Sequence, residues 1–313
     1  MKPSILVIGS INMDLVLQAE RIPQAGETFF GQAYQYIPGG KGANQAVALA
    51  RLGASVTFVG RVGNDTQGLR LREGLGREGI VTDFLKTDQK TQTGLAVIMV
   101  EETGQNRILA FAGANMAIQA DDLLTAFEKP YQAVTYNLEI DQSIAVETCR
   151  IGRKKEIPII LDAGPAHRDS LQGIEHLEIL SPNETETYAL TGIMVSGSQE
   201  AYEAARRLVG ACPARYVVIK MGEKGAYLYH DGQGEFFPGH RVRPVDTTAA
   251  GDAFTAAMTI EYLQRGDIRE AIRFGNLVGA LSVTRLGAQP SLPTRREVEA
   301  FEQTLCRQQA IDP

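Results

Sequence analysis

Short apolar runs separated by helical patterns recur along the whole of this 313-residue chain. Ser4–Gly9 is a continuous apolar run and reads as a buried strand. Gly42–Leu52 carries apolar residues at 43, 46, 47, 49 and 50, a helical stripe that Gly53 stops. Val56–Val62 is again strand-like and Asp65–Arg77 helical. Further strands are predicted at Ala133–Tyr136, Pro158–Asp162, Leu177–Leu180, Tyr216–Met221 and Ala226–His230, and helices at Ser143–Lys155 and Gln199–Val209. The last third reads as helices over 250–265, 268–283 and 294–307. Apolar strands alternating with helices call for a mainly parallel sheet covered on both faces. The expectation is a three-layer α/β/α core in a single domain over 1–313.

Two stretches break that rhythm. Leu15–Ile37 and Thr93–Phe111 carry strand-like segments with no helix between them, the second around the turn Glu102-Thr103-Gly104. They predict antiparallel hairpins from two insertions, about 13–38 and 92–112, that build one small β-sheet lid. Composition narrows the function classes. A formal charge of −6 argues against a nucleic-acid or anionic-membrane binder. The three cysteines are scattered and lack CxxC spacing, which suits a reducing, cytoplasmic compartment. The four histidines show no zinc spacing, and neither a signal peptide nor a membrane-length apolar run is expected. The chain has 32 glycines, where average usage gives about 22. The excess points to turns or to backbone brought close to a ligand.

Four segments carry candidate chemistry. In Asp246-Thr247-Thr248-Ala249-Ala250-Gly251-Asp252, small residues open a helix whose free N–H groups and dipole suit an anion. Asp252 in that first turn is placed to take a proton from a hydroxyl; as a helix-dipole residue alone it would not need the Ala-Ala-Gly run. In Pro38-Gly39-Gly40-Lys41-Gly42-Ala43-Asn44, Lys41 and Asn44 project from one first turn and suit a polyhydroxylated ligand. Asn12 and Asp14 follow the first strand, share one side, and stand where α/β sheets bind ligands; an Asx-turn is the plainer reading. In Ser181-Pro182-Asn183-Glu184-Thr185-Glu186, Ser181 reads as the helix N-cap and Glu184 as its capping-box partner. That leaves Asn183 and Glu186 on one face, suited to Mg²⁺ with phosphates. A GxGxxG at Gly74–Gly79 ends a helical pattern instead of opening one, so it fails the context test for a dinucleotide site.

Taken together and in this order, these motifs resemble the ribokinase-like carbohydrate kinases of the PfkB family over about residues 4–304. Ala112-Gly113-Ala114-Asn115 and Gly287-Ala288-Gln289-Pro290-Ser291 add to the likeness with the ribokinase branch. The resemblance implies a Rossmann-like core and ATP-dependent phosphorylation of the 5-hydroxyl of D-ribose. Asp252 would be the general base, with Ala249, Ala250, Gly251 and Asp252 forming the anion hole. Asn12, Asp14, Gly40, Lys41, Asn44, Glu139 and Asp252 would hold the sugar. Asn183 and Glu186 would organise Mg²⁺ and phosphates, and Lys220, Gly222, Gly225, Gly251 and Asn276 would line the nucleotide pocket. Asp246, Thr248, Ser282, Arg285, Gly287 and Ser291 would enclose a monovalent cation, K⁺, mostly through carbonyls. A homodimer through the lid is implied as well. Lys220 stands where ribokinases often carry a small hydroxyl residue, and Ala110 where some carry a larger aliphatic. The rivals are another PfkB-family kinase acting on nucleosides, ketodeoxygluconate or another sugar, a non-catalytic sugar-binding regulator on the same fold, and an NAD-linked dehydrogenase.

Overall fold

The computed structural model describes residues 2–103 and 105–311; Gly104 of the Glu102–Gly104 turn lies outside them. In chain order the elements are β1 (Ser4–Ile8), β2 (Asn12–Ala19), β3 (Ala33–Gly39), α1 (Lys41–Arg51), β4 (Ser55–Gly63), α2 (Thr66–Arg77), β5 (Leu85–Asp88), β6 (Gly94–Glu101) and β7 (Asn106–Phe111). Then follow α3 (Ala120–Ala126), β8 (Ala133–Asn137), α4 (Gln142–Lys154), β9 (Ile159–Asp162), β10 (Leu177–Ser181), α5 (Glu184–Thr191) and α6 (Ser198–Ala211). The chain ends with β11 (Ala214–Lys220), β12 (Gly225–His230), β13 (Gln233–Pro238), α7 (Ala250–Arg265), α8 (Ile268–Ser282), α9 (Ala288–Ser291) and α10 (Arg295–Ile311).

A nine-stranded sheet in the order β13-β12-β11-β10-β9-β8-β1-β4-β5 forms the middle layer. It is parallel from β11 to β5, and only the β11-β12-β13 edge is antiparallel. Its central strands are apolar throughout because both faces are covered. In β1, Leu6 and Ile8 pack with residues of α3, α4 and α6, while Ile5 and Val7 pack with residues of α1, α2 and α7. The α/β/α layering read from the sequence is therefore present. The elements not foreseen, β5, β13, α3 and α9, are short or lie at an edge. β13 is mostly exposed, and its Gln-Gly-Glu-Phe-Phe-Pro sequence has no apolar alternation to mark it.

A second sheet, in the order β3-β2-β6-β7, stands apart from the first. Its outer pairs are antiparallel, as expected of hairpins, but β2 and β6 are joined by a parallel seam from Asn12↔Gly94 to Ala19↔Glu101. Two local details complete the frame. The GxGxxG lies on the last turns of α2, with Gly79 just beyond at φ +75, a helix exit and no nucleotide cradle. The cap of α5 differs from the sequence expectation. Asn183, not Ser181, is the N-cap, and Glu186, not Glu184, closes the capping box. β10 runs on through Ser181, so its backbone is still extended there and the helix starts two residues later.

Candidate active site

Parallel strands leave their carboxyl ends along one rim, and side chains just past those ends converge. β1 delivers Ser10, and β2 starts at Asn12; β8 delivers Asn137 and Glu139, β9 Asp162, β10 Asn183, and β11 Lys220. The N-termini of α1 and α7 face this rim.

α1 begins at Lys41 behind Gly40, whose φ of +89 is open to glycine and strained for other residues. Space forbids a side chain there too, because a Cβ would come within 2.7 Å of the Asn12 nitrogen. This tight passage puts Lys41 and Asn44 beside α7. Asn44 Nδ2 donates to Asp252 Oδ2 at 2.8 Å, and Lys41 Nζ lies 3.9 Å from Asp252 Oδ1 and 3.9 Å from Glu186 Oε1. Asp252 is buried, and its Oδ1 has no hydrogen-bond partner; nor has Asn44 Oδ1. Glu139 accepts from Ser10 Oγ and from the Lys41 backbone N–H. Asn12 Oδ1 accepts from Asn115 Nδ2 at 2.7 Å, and Asn115 Oδ1 accepts from the Ile11 N–H at 2.9 Å.

Charge crowding shifts these groups. Burial, opposed by Lys41 and reinforced by Asp162 and Glu139, pushes the Asp252 carboxyl up to about 6. Burial, with Glu139 and Asp252 nearby, pushes Asp14 up to about 7. Lys41 is held above its ordinary range: burial opposes this, but the surrounding carboxylates, Asp252 foremost, win. The protonated lysine and a carboxylate poised near neutrality form an acid–base pair of the kind a proton-transfer site uses.

α7 starts from Ala249, a non-glycine residue at φ +62, with Ala250, Gly251 and Asp252 in its first turn. The Ala250 N–H donates to the Thr247 carbonyl at 3.2 Å, which leaves the Gly251 and Asp252 N–H groups without a partner within the helix. They border a cavity of about 1100 Å³ lined by Asn183, Lys220, Gly222, Gly225, Ala250, Gly251 and Asn276. Glu186 is not on that wall. Its Oε2 accepts from the Asn183 N–H at 2.8 Å, while Oε1 faces Lys41 at the passage between cavity and rim. Asn183 Oδ1 is likewise engaged, by the Glu186 N–H at 2.9 Å and the Thr185 hydroxyl at 3.1 Å, so of this pair Glu186 Oε1 is the oxygen that could face a hydrated Mg²⁺.

Of the residues expected around a monovalent cation, Asp246, Thr248 and Gly287 are tied together. Asp246 accepts from the Thr248 N–H at 2.9 Å and the Gly287 N–H at 2.8 Å, which ties the loop before α7 to the turn into α9. The carbonyls of Thr248 and Arg285 accept no backbone hydrogen bond from the described residues. The Arg285 guanidinium is drawn off to Glu297 at 2.8 Å, so its carbonyl is the group that fits a cation. Ser282 and Ser291 hydroxyls donate to the Gly279 and Ala288 carbonyls.

Sequence reading passed over Ser10, Gln45, Asn115 and Asp162. Asp162 carried a usable signal: it is the single charge at the carboxyl end of an otherwise apolar strand.

The family pattern described as pfkB family carbohydrate kinase matches residues 2–295. The chain is 36% identical to a ribokinase of Haemophilus influenzae, covering 96% of this chain and 99% of that one. It is 38% identical to a ribokinase of Bacillus subtilis, covering 95% and 98%. The solved structure of Arabidopsis thaliana ribokinase complexed with ribose and ATP superimposes with a TM-score of 0.87 at 34% identity, covering 96% of this chain and 99% of that one. With a match over nearly its whole length, the chain belongs to the PfkB family of carbohydrate kinases.

Proposed function

We propose that this protein transfers the γ-phosphoryl group of ATP to the 5-hydroxyl of D-ribose, giving D-ribose 5-phosphate and ADP. The observation that carries the reading is Asp252: buried, held through Oδ2 by Asn44, with Oδ1 unpartnered at the start of α7, where the Gly251 and Asp252 N–H groups have no backbone partner among the described residues. As the sugar oxygen bonds to phosphorus, the bond from phosphorus to the bridging oxygen of ADP breaks. The sugar proton passes to Asp252 Oδ1. The N–H groups of Ala249–Asp252 meet the charge on the moving group. Asn12, Asp14, Gly40, Lys41, Asn44 and Glu139 hold the sugar hydroxyls. The cavity beside Lys220, Gly222, Gly225 and Asn276 takes the nucleotide.

The small sheet covers the sugar and keeps out water, which would otherwise accept the phosphoryl group. Glu186, with Asn183 behind it, would hold hydrated Mg²⁺, which when bound would neutralise phosphate charge. K⁺ fits the loop of Asp246, Thr248, Ser282, Arg285, Gly287 and Ser291 and would stiffen the anion hole from behind. The three thiols suit a cytoplasmic setting, and among the described residues no helix is long and apolar enough to cross a membrane. ATP consumption against ribose, 2-deoxyribose, fructose, ketodeoxygluconate and nucleosides, in K⁺ and in Na⁺, tests the reading. Ribose in K⁺ is expected to give the highest kcat/KM; a nucleoside in that place would overturn the substrate, and equal rates in Na⁺ the cation.

A further inference from the structure

At the end of β9, Asp162 is fully buried and meets donors from three elements. Its Oδ1 accepts from Lys220 Nζ on β11 at 2.9 Å; its Oδ2 accepts from Gln45 Nε2 on α1 and Thr255 Oγ1 on α7, each at 3.1 Å. Lys220 Nζ also reaches Thr255 Oγ1 at 3.5 Å. An ammonium has three N–H groups, and two are used. Lys220 belongs to the wall of the nucleotide cavity, together with Asn183 and Gly251. A Cβ built on Gly251 would lie 3.6 Å from Lys220 Nζ. The charge therefore sits against the turn of α7 whose N–H groups face the phosphoryl group. A buried ion pair is weak evidence of a packing role, since apolar residues of similar volume often replace one without loss of stability.

We propose that Lys220 is a further catalytic residue, whose ammonium meets the phosphoryl group in flight beneath Gly251, and that Asp162 is the positioning residue that holds it there. The pair is oriented: its cationic end borders the cavity and its anionic end is locked by Gln45 and Thr255. Charge is thus pre-arranged where negative charge gathers, adding a full positive charge to the partial charges of the backbone. The hub also joins the helix of Asn44, the helix of Asp252 and a strand of the nucleotide cavity at one carboxylate. This inference rests on the kinase reading.

The test uses Lys220→Met, Lys220→Arg, Asp162→Asn and the double variant Lys220→Met/Asp162→Asn. Lys220→Met alone leaves a buried carboxylate unpaired and is prone to misfold; the double variant removes both charges and is the decisive protein. Its melting temperature and sugar KM should stay near wild type while kcat falls about 100-fold, the scale of losing one charge-stabilising donor. Lys220→Arg should restore part of that loss, and Asp162→Asn should lower kcat with little change in sugar KM. Calorimetry without sugar gives a second readout: the preference for a non-hydrolysable ATP analogue over ADP should drop about 10-fold, as for one lost charge-assisted contact. A double variant with normal kcat and normal nucleotide preference overturns the proposal, as does a loss confined to sugar KM. The nucleotide preference does not depend on which sugar is the acceptor, so it separates this proposal from the substrate assignment. Wild-type protein that binds neither nucleotide would overturn both.

Discussion

At the scale of single residues, the base role proposed for Asp252 rests on what its carboxyl lacks. One oxygen is pinned by Asn44 and the other is unpartnered, so burial outweighs the Lys41 charge and the Asn44 donor and raises the proton affinity of the carboxyl. Asp252→Asn keeps the shape and removes the base. It should fold with a normal melting temperature and lose about 10²–10⁴-fold in kcat, the usual worth of a general base. Near-normal turnover would remove Asp252 from that role. With the carboxyl at about 6, the active, deprotonated form is lost as pH falls through that value, so kcat/KM for the sugar should decline below about pH 6. A flat profile from pH 7 to 5 would contradict it. The motif signalled Asp252 because small residues at a helix start are hard to explain otherwise. Asn183 and Glu186 were harder to read. Two overlapping capping frames, starting at Ser181 and at Asn183, both fit the sequence, and only the length of β10 decides between them.

At the scale of elements, α1 is the part whose placement matters most. Its first turn presses on the loop after β1 so closely that a Cβ on Gly42 would come within 2.8 Å of Gly9 and Ser10 backbone atoms. Gly42→Ala should push Lys41 and Asn44 away from Asp252. The expected result is a sugar KM raised several-fold, an ATP KM little changed, and a stability loss of about 1–3 kcal/mol from overpacking, read by chemical denaturation. An unchanged sugar KM would mean that α1 does not set the sugar site. The helix was legible from its apolar period, and the glycines hinted at a close approach. What they approach was not legible, because Gly9 and Ser10 lie more than thirty positions earlier in the chain. The same holds at the far end of α1, where Arg51 donates to the carbonyls of Gln289 and Leu292 and steadies the α9 turn. An arginine closing a helix reads simply as a charge at the right pole.

At the scale of the molecule, the alternation of strands and helices forecast the layers, since that pattern leaves few other ways to bury both faces of a sheet. The small sheet was forecast as one lid built by hairpins from two insertions; the parallel direction of the seam that joins them was not, because no local pattern encodes it. On the face opposite Asp14 it exposes Tyr34, Tyr36, Leu109 and Phe111. We propose that a second copy covers this apolar face. Sedimentation should give a dimer for the wild type and a monomer for Leu109→Asp/Phe111→Asp; a monomeric wild type would overturn the pairing.

The parallel seam also has a mechanical meaning. β2 and β6 leave the core side by side, at Asn12 and Gly94, so both central strands are rooted at one end of the sheet. Such a sheet is a lever with its fulcrum at the roots. At ~3.3 Å per residue, a swing of about 10° would carry the far tip through about 4 Å yet move Asp14, two residues from the root, by only about 1 Å. The arrangement is geared: a broad sweep at the rim would become a fine adjustment at Asp14, where the proposed function places the sugar hydroxyls.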